Sequence, residues 1–200
     1  MLELAAILAG YLLGSIPAPY WIARLRKGID IRTVGVRNMG AANVIREVGI
    51  LEGALAAIID VGKGAAAVWV AQLIGVPEYW SWAAGFAAIL GHNFPVFLSF
   101  RGGRGAATLI GVIAMIAPVV TAIGLAVFAT LWLIIRHTLT CMFITAPILF
   151  VTAWALEQSG PLLIFIAIAM LFVAFQAKYR MGEVKAVLGR ISGRKKSEAG

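Results

Sequence analysis

The feature that most constrains this chain is a run of 30 residues, Ala106 to Ile135, that contains no charged side chain. One span across a bilayer needs about 20 apolar residues, so the run is longer than a single untilted helix requires. Pro118 lies near the middle of the run, where proline disfavours continuation of a helix. The sequence therefore predicts two consecutive transmembrane helices here, at about 106–117 and 119–135.

Five further apolar runs predict additional membrane helices, and hydrophobic residues make up 62% of the chain against 13% charged. A soluble domain of this length cannot bury so much apolar side chain. We therefore predict an all-α integral membrane protein in which residues 1–200 form a single domain of seven transmembrane helices. The five runs are Leu2–Ala23, Leu51–Ile74, Tyr79 to about Leu98, Leu139–Leu156 and Leu162–Ala177.

Lysine and arginine are concentrated in alternate polar segments between the predicted spans. They lie at Arg136 and in segments 24–50, 99–105 and 178–200, whereas the intervening segments carry glutamate. Because cytoplasmic loops are rich in lysine and arginine, we predict an N-terminus outside and a cytoplasmic C-terminus with a basic tail at 178–200. The net charge of +8 then requires no nucleic acid, since these residues orient the protein and contact anionic headgroups.

The first apolar run could also be mistaken for a secretory signal peptide. It has no basic residue before it, only Glu3, and no A-x-A cleavage pattern after it. We therefore predict that the run is an uncleaved first helix. The four residues 14–17, Gly-Ser-Ile-Pro, either bend this helix or line a site, since proline breaks a helix and Ser15 can bond the freed backbone.

A polar loop at residues 30–43 follows the first predicted span and has no acidic residue after Asp30. Glycine lets backbone N–H groups converge on an oxyanion, and the arginine fork binds phosphate. The loop is therefore a candidate phosphate site, and the alternative is an ordinary basic loop beside lipid headgroups. The candidate ligands are Gly35, Arg37, Asn38, Gly40 and Asn43.

A second segment, residues 91–108, reads GHNFPVFLSFRGGRGAAT and opens the fourth predicted helix. Glycines flanked by arginines just before a helix N-terminus suit a phosphate, because free N–H groups and the helix dipole favour an anion. His92, beside this turn, is the candidate catalytic residue, although a histidine bonded to a backbone carbonyl is the alternative. His137, at a short turn, is interpreted as structural. The candidate phosphate ligands are Arg101, Gly102, Gly103, Arg104 and Gly105.

Two charged residues, Asp60 and Lys63, lie inside the second predicted span. At a spacing of three residues they share one face of a helix and can pair, which makes their burial less costly. The alternative is that Lys63 points at an anionic substrate.

These segments, in this order, resemble the bacterial membrane glycerol-3-phosphate acyltransferases of the PlsY type. That family has G-S-I-P in the first helix, then D-x-R-x-x-G-S-x-N-x-G-A-T-N, then G-H-x-F-P-x-F-x-x-F-K-G-G-K-G-x-A-T. The third pattern matches almost residue for residue from Gly91 to Thr108, with Arg101 and Arg104 where the family usually has lysine.

The resemblance implies transfer of a fatty acyl group from acyl phosphate to the 1-hydroxyl of glycerol 3-phosphate, giving lysophosphatidic acid and phosphate. The site would face the cytoplasm in a bacterial inner membrane, and neither coenzyme A nor a metal is implied. By the same resemblance, His92 orients or deprotonates the hydroxyl. One phosphate would be held by Gly102, Gly103, Arg104 and Gly105, and the other by Gly35, Arg37, Asn38, Gly40 and Asn43. The partners implied are these two substrates and membrane lipids; the oligomeric state stays unknown.

The chain departs from the family pattern at two hydroxyl positions: Val36 replaces a serine and Ala42 a threonine. A hydrogen bond to a charged group contributes about 1.5–3 kcal/mol, so each loss matters for phosphate binding. Near the end of the last span, residues 178–182 read KYRMG in place of a run like R-H-R-E-N. A non-catalytic or substrate-shifted homologue that binds anionic lipid precursors therefore remains an alternative. A small transporter is a third possibility, although no inverted repeat is visible.

Overall fold

The protein is described by a computed structural model over residues 1–136, 138–156 and 159–197. Side chains are described except at 138, 139 and 180–197. His137 and the side chains of most of the predicted basic tail therefore lie outside the described residues. Within the described ranges every regular element is a helix, in agreement with the all-α prediction.

The α-helices follow one another along the chain, with the longest connections at residues 28–40 and 94–105, and a 3-10 helix at Val96–Leu98 lies within the second of these. In chain order they are α1 (Leu2–Ser15), α2 (Ala18–Lys27), α3 (Ala41–Glu47), α4 (Ile50–Ile74), α5 (Glu78–Asn93), α6 (Ala106–Ile116), α7 (Pro118–Ile135), α8 (Thr138–Ala155) and α9 (Gly160–Ser197).

Four stretches of the described residues are long and apolar enough to cross a membrane. They are Leu2–Lys27, Ile50–Ile74, Pro118–Ile135 and Gly160–Tyr179. Two further apolar helices, Ala106–Ile116 and Thr140–Ala155, are shorter. Helical membrane architecture is thus present, whereas the seven-span count and the orientation stay predictions.

Two proline positions set breaks between helices. The predicted division of the long apolar run is confirmed, since α6 ends at Ile116 and α7 begins at Pro118. Proline is favourable in the first turn of α7 because its missing N–H has no intrahelical acceptor there. The first predicted span is also divided: α1 ends at Ser15 and α2 begins at Ala18, on either side of Pro17. This confirms the bend at residues 14–17.

Ser15 contributes to this bend by donating from Oγ to the Tyr11 carbonyl at 2.8 Å.

At the other end of the chain the last predicted span begins slightly earlier than expected, at Gly160, and α9 continues well beyond Ala177. Helical geometry therefore extends from the apolar span into the basic tail.

The centre of the protein is formed by α1, α4, α5 and α6, which approach one another through small residues. At each of five glycines, a Cβ would meet a backbone carbonyl of the facing helix. Small residues allow such close backbone approach in membrane proteins, where apolar side chains gain little by leaving lipid. The five are Gly10 and Gly14 of α1, Gly64 of α4, Gly91 of α5 and Gly111 of α6.

Candidate active site

The two polar segments predicted to bind phosphate lie together at the C-terminal end of α5. We call residues 28–40 the first loop and residues 94–105 the second loop. They touch at two points: Arg32 Nη1 lies 3.4 Å from the Leu98 carbonyl, and Gly103 lies against the Met39 carbonyl. The structure thus brings together two segments that are more than fifty residues apart in the chain.

One buried side chain, Asn43 at the start of α3, organises the first loop. Its Oδ1 accepts the Val36 N–H at 3.1 Å. Its Nδ2 lies within 3.0–3.1 Å of the carbonyls of Ile31, Val34 and Asn38. An amide that is engaged with the loop backbone in this way is a weaker candidate for binding a phosphate, and the predicted phosphate contact of Asn43 stays a prediction. We assign Asn43 the task of holding the loop.

An ion pair at the start of the same loop links it to its neighbours. Arg32 Nη2 lies 2.8 Å from Asp30 Oδ2, and the Arg32 N–H donates to Asp30 Oδ1 at 2.9 Å. The Arg32 guanidinium also stacks over the Tyr20 ring of α2, 5.0 Å from its centroid. These bonds from Arg32 lower the pKa of Asp30 below its ordinary value. Asp30 and Arg32 therefore fasten the first loop to α2 and to the second loop.

The other predicted phosphate ligands of the first loop differ in backbone conformation and in side-chain exposure. Gly35 has a left-handed φ of 56° and lies against the side chains of Asn43 and Glu47, so a Cβ there would be both strained and crowded. Arg37 is also left-handed, with φ 51°, which is uncommon for a non-glycine residue. Its side chain is exposed, and Asn38 is half-buried. Arg37 and Asn38 are therefore the side chains that the loop can offer to a ligand.

The second loop is closed by main-chain hydrogen bonds that return to the end of α5. The Gly102 N–H donates to the Asn93 carbonyl at 3.1 Å, and the Gly103 N–H donates to the His92 carbonyl at 3.0 Å. Both N–H groups therefore have a partner within the protein, and the prediction that they bind phosphate stays a prediction. A Cβ on Gly103 would meet His92 Nε2 and the Met39 carbonyl, so only glycine fits there.

The donors that the second loop can offer lie further along it. Gly105, with φ 83°, directly precedes α6, whose first-turn N–H groups have no intrahelical acceptor by helix geometry. Arg104 is half-buried and Arg101 is exposed. Before them, Ser99 and Phe100 are both left-handed, with φ 52° and 62°. Consecutive strained non-glycine residues are characteristic of functional turns, and here they precede Arg101.

His92 occupies the centre of the arrangement and is only 2% exposed. Its Nδ1 lies 3.4 Å from Asp60 Oδ1, on the neighbouring helix α4. Its Nε2 is on the side of the ring that faces Gly103 and the Met39 carbonyl, where the two loops meet. The predicted catalytic histidine is thus the side chain that lies between both candidate phosphate loops.

Asp60 and Lys63 form the predicted pair, with Nζ of Lys63 2.8 Å from Oδ1 of Asp60. Lys63 also donates to the Ile16 carbonyl at 2.9 Å, in the break between α1 and α2. Both side chains are buried, with relative exposures of 1% and 4%. These contacts confirm the pair and speak against Lys63 as a ligand of the substrate, because its ammonium is already bonded inside the protein.

The contact between Asp60 and His92 was not anticipated from the sequence. The two residues belong to different helices, and no local pattern joins them. The one available signal was that an acidic residue within a membrane span is uncommon and generally functional. Among the described residues no group of three or more His, Cys, Asp or Glu side chains is arranged to hold a metal.

Comparison with known proteins adds an independent observation to this geometry. A family model described as glycerol-3-phosphate acyltransferase matches residues 4–185. Glycerol-3-phosphate acyltransferase 2 of Dehalococcoides mccartyi is 37% identical over 189 residues, covering 94% of this chain and 90% of the relative. A glycerol-3-phosphate acyltransferase of Geotalea daltonii is 37% identical over 185 residues, covering 92% and 94%.

A solved structure is also similar over nearly the whole chain. It is the crystal structure of PlsY, an integral membrane glycerol 3-phosphate acyltransferase, in its glycerol 3-phosphate form. The TM-score is 0.83 at 29% sequence identity, with 94% of this chain and 93% of that chain covered. The similarity therefore extends over nearly the whole helical fold.

Proposed function

The chain belongs to the glycerol-3-phosphate acyltransferase family and is of the PlsY type, and on that premise we propose the reaction it catalyses. It transfers a fatty acyl group from acyl phosphate to the 1-hydroxyl of glycerol 3-phosphate. A new ester C–O bond forms, the bond between the acyl carbon and the phosphate oxygen breaks, and the hydroxyl proton ends on the released phosphate. The products are lysophosphatidic acid and inorganic phosphate.

The observation that carries this proposal is the position of His92 between two basic, glycine-containing loops. Both substrates carry a phosphate, so the reaction requires two anion sites with a reacting hydroxyl between them. Holding both substrates in line converts a bimolecular step into an effectively unimolecular one. His92 orients the hydroxyl or accepts its proton as the bond to the acyl carbon forms.

We propose that the predicted phosphate ligands form two groups with different tasks. In our proposal Arg104, Arg101 and the first turn of α6 after Gly105 bind one phosphate, since arginine and helix N-termini both favour anions. Arg37 and Asn38 bind the other, with the backbone of Gly35 and Gly40. The residues whose hydrogen bonds are used within the loops, Asn43, Gly102 and Gly103, hold these ligands in place.

We further propose that the protein is a multi-pass protein of the bacterial inner membrane with its site at the cytoplasmic face. The basis is the distribution of positive charge, because both loops belong to segments rich in arginine. The fatty chain of the donor would then lie among the apolar helices, and the phosphate-bearing parts would enter from water.

The test is phosphate release from palmitoyl phosphate by the purified protein, with and without glycerol 3-phosphate, while lysophosphatidic acid is followed by mass spectrometry. We expect release that depends on glycerol 3-phosphate and falls by about 100-fold or more in His92→Ala, the range for loss of a general base. His137→Ala is the matched control for loss of a histidine. Folded wild-type protein that makes no lysophosphatidic acid from this donor would refute the proposal.

A second candidate function is supported by one observation. Val36 in the first loop and Ala42 in the first turn of α3 are both exposed, at the two positions where the family pattern has hydroxyls. A homologue that binds anionic lipid precursors without turnover, or that acts on a shifted substrate, would tolerate this loss. Binding of glycerol 3-phosphate or lysophosphatidic acid without phosphate release would favour it over the acyltransferase.

A further inference from the structure

We propose that Asp60 and Lys63 are positioning residues for His92, so that the buried pair fixes which nitrogen of the imidazole faces the substrates. The kinetic consequences rest on the proposed function, whereas the arrangement itself can be tested without turnover. Neither residue needs to touch a substrate for this role. Their contacts run from the break in the first span, through α4, to the histidine at the end of α5.

The charges of the pair balance within the protein. A carboxylate buried to 1% exposure inside a membrane helix is strongly unfavourable alone, and the Lys63 ammonium 2.8 Å away compensates it. The same carboxylate oxygen, Oδ1, also lies 3.4 Å from His92 Nδ1. Asp60 therefore needs no second cation, and His92 can remain neutral beside it.

Lys63 is anchored by a backbone group that the helix break exposes. The N–H groups of Tyr20 and Trp21 both donate to the Pro17 carbonyl, which leaves the Ile16 carbonyl outside the hydrogen bonding of α2. Lys63 Nζ bonds this carbonyl at 2.9 Å. The Gly-Ser-Ile-Pro segment, which the proposed reaction does not otherwise use, thus provides the fixed point for the ammonium.

The consequence for His92 is a choice between two neutral tautomers. A neutral imidazole that donates from Nδ1 to a carboxylate presents Nε2 as an acceptor. In His92, Nδ1 is the nitrogen near Asp60, and Nε2 faces Gly103 and the Met39 carbonyl at the junction of the loops. Asp60 thus makes Nε2 the nitrogen that accepts from the hydroxyl. At 3.4 Å the contact does not have hydrogen-bond geometry in this structure, and the proposal is that it becomes a hydrogen bond when substrate tightens the site, as catalytic contacts often do.

The tautomer can be read directly because the chain has only two histidines. In a His137→Gln background, nitrogen-15 NMR of histidine-labelled protein reports His92 alone. We expect the form protonated at Nδ1. Asp60→Leu removes the acceptor next to Nδ1, whereas the Met39 carbonyl still lies where Nε2 points, so the form protonated at Nε2 should predominate in that variant. The same tautomer in both proteins, or Nε2 protonation with Asp60 intact, would overturn the proposal.

A double-mutant cycle tests whether Asp60 acts through His92 in the reaction. We expect Asp60→Leu, which removes the oxygen next to His92 Nδ1, to lower kcat by about 10²- to 10⁴-fold, as for loss of an aspartate that orients a catalytic histidine, with little change in KM. In the His92→Ala background the same change should have almost no further effect. If the Asp60 change lowers kcat by the same factor with and without His92, Asp60 has only a structural role.

Two further variants keep the test decisive. Glu52→Gln is the matched control, because Glu52 is an acidic residue of the same helix whose partner is the exposed Arg26. If Asp60→Leu does not fold because Lys63 is left buried without its partner, the double variant Asp60→Leu with Lys63→Met removes both charges together, and the same tautomer change and loss of kcat are expected. Wild-type protein without turnover but with the Nδ1-protonated tautomer would defeat the proposed reaction and leave the positioning role intact.

Discussion

The two loops around His92 are held by different kinds of hydrogen bond. In the first loop a side chain, Asn43, reaches four backbone groups of the segment it organises. In the second loop, the main-chain N–H groups of Gly102 and Gly103 donate hydrogen bonds to backbone carbonyls at the end of α5. The first loop can therefore be released by deleting a side chain. The second loop is closed by main-chain groups that no substitution deletes, so the direct way to disturb it is to add a side chain.

The largest expected effect comes from adding a side chain in the second loop. Gly103→Ala places a Cβ against His92 Nε2 and the Met39 carbonyl, so the ring or the loop must move. We expect phosphate release to fall by about 100-fold or more, since misplacement of a catalytic group by 1 Å can have that effect. Activity is measured on purified protein with both substrates. Gly62→Ala, where a Cβ meets nothing, is the control. Equal activity of the two variants would contradict the steric account.

The next effect comes from deleting the side chain that holds the first loop. Asn43→Ala leaves the Val36 N–H and three carbonyls without their partner, so we expect a loss of about 1–3 kcal/mol in the free energy of unfolding. KM for the substrate bound by this loop should rise. Thermal unfolding in detergent and steady-state kinetics measure the two effects. Gln72→Ala removes an exposed amide from α4 as a control. A variant as stable as the control would show that the first loop has another support.

A smaller change should improve the first loop rather than break it. Val36→Ser restores a hydroxyl at a position that is 37% exposed and whose N–H is already held by Asn43. Since a hydrogen bond to a charged group contributes about 1.5–3 kcal/mol, we expect KM for one phosphate substrate to fall by about 10-fold. Val119→Ser, an exposed valine of α7, is the matched control. An unchanged KM would indicate that this position does not face a phosphate.

The smallest effect concerns the ion pair that links the two loops. Because Arg32 lowers the pKa of Asp30, the pair stabilises the protein fully above the unfolded pKa of about 3.9 and loses this effect as pH falls through the lower folded value. We expect at most about 1 kcal/mol, since the pair is only partly buried and solvent screens it. Unfolding midpoints of wild type and Asp30→Asn should differ at pH 6 and converge below pH 4. A constant difference across this range would exclude titration of Asp30 as its cause.

Features that depend on neighbouring residues were predictable. Pro118 divides the long apolar run and Pro17 breaks the first span, because proline acts on the helix in which it lies. The pair of Asp60 and Lys63 follows from a three-residue spacing on one helix. The seven-span layout stays a prediction, since four stretches of the described residues meet the length and composition of a membrane span.

By itself, therefore, the sequence determined the helical membrane class, the positions of the breaks, the identity of the polar loops and the family. Only the tertiary structure decided which groups in those loops remain able to bind a ligand. Asn43, Gly102 and Gly103 carry suitable donors, but their partners are backbone carbonyls whose positions are fixed by folding. The contact between Asp60 and His92 likewise exists because α4 and α5 pack side by side. Hydrogen bonds between distant segments depend on packing, and neither composition nor local spacing encodes them.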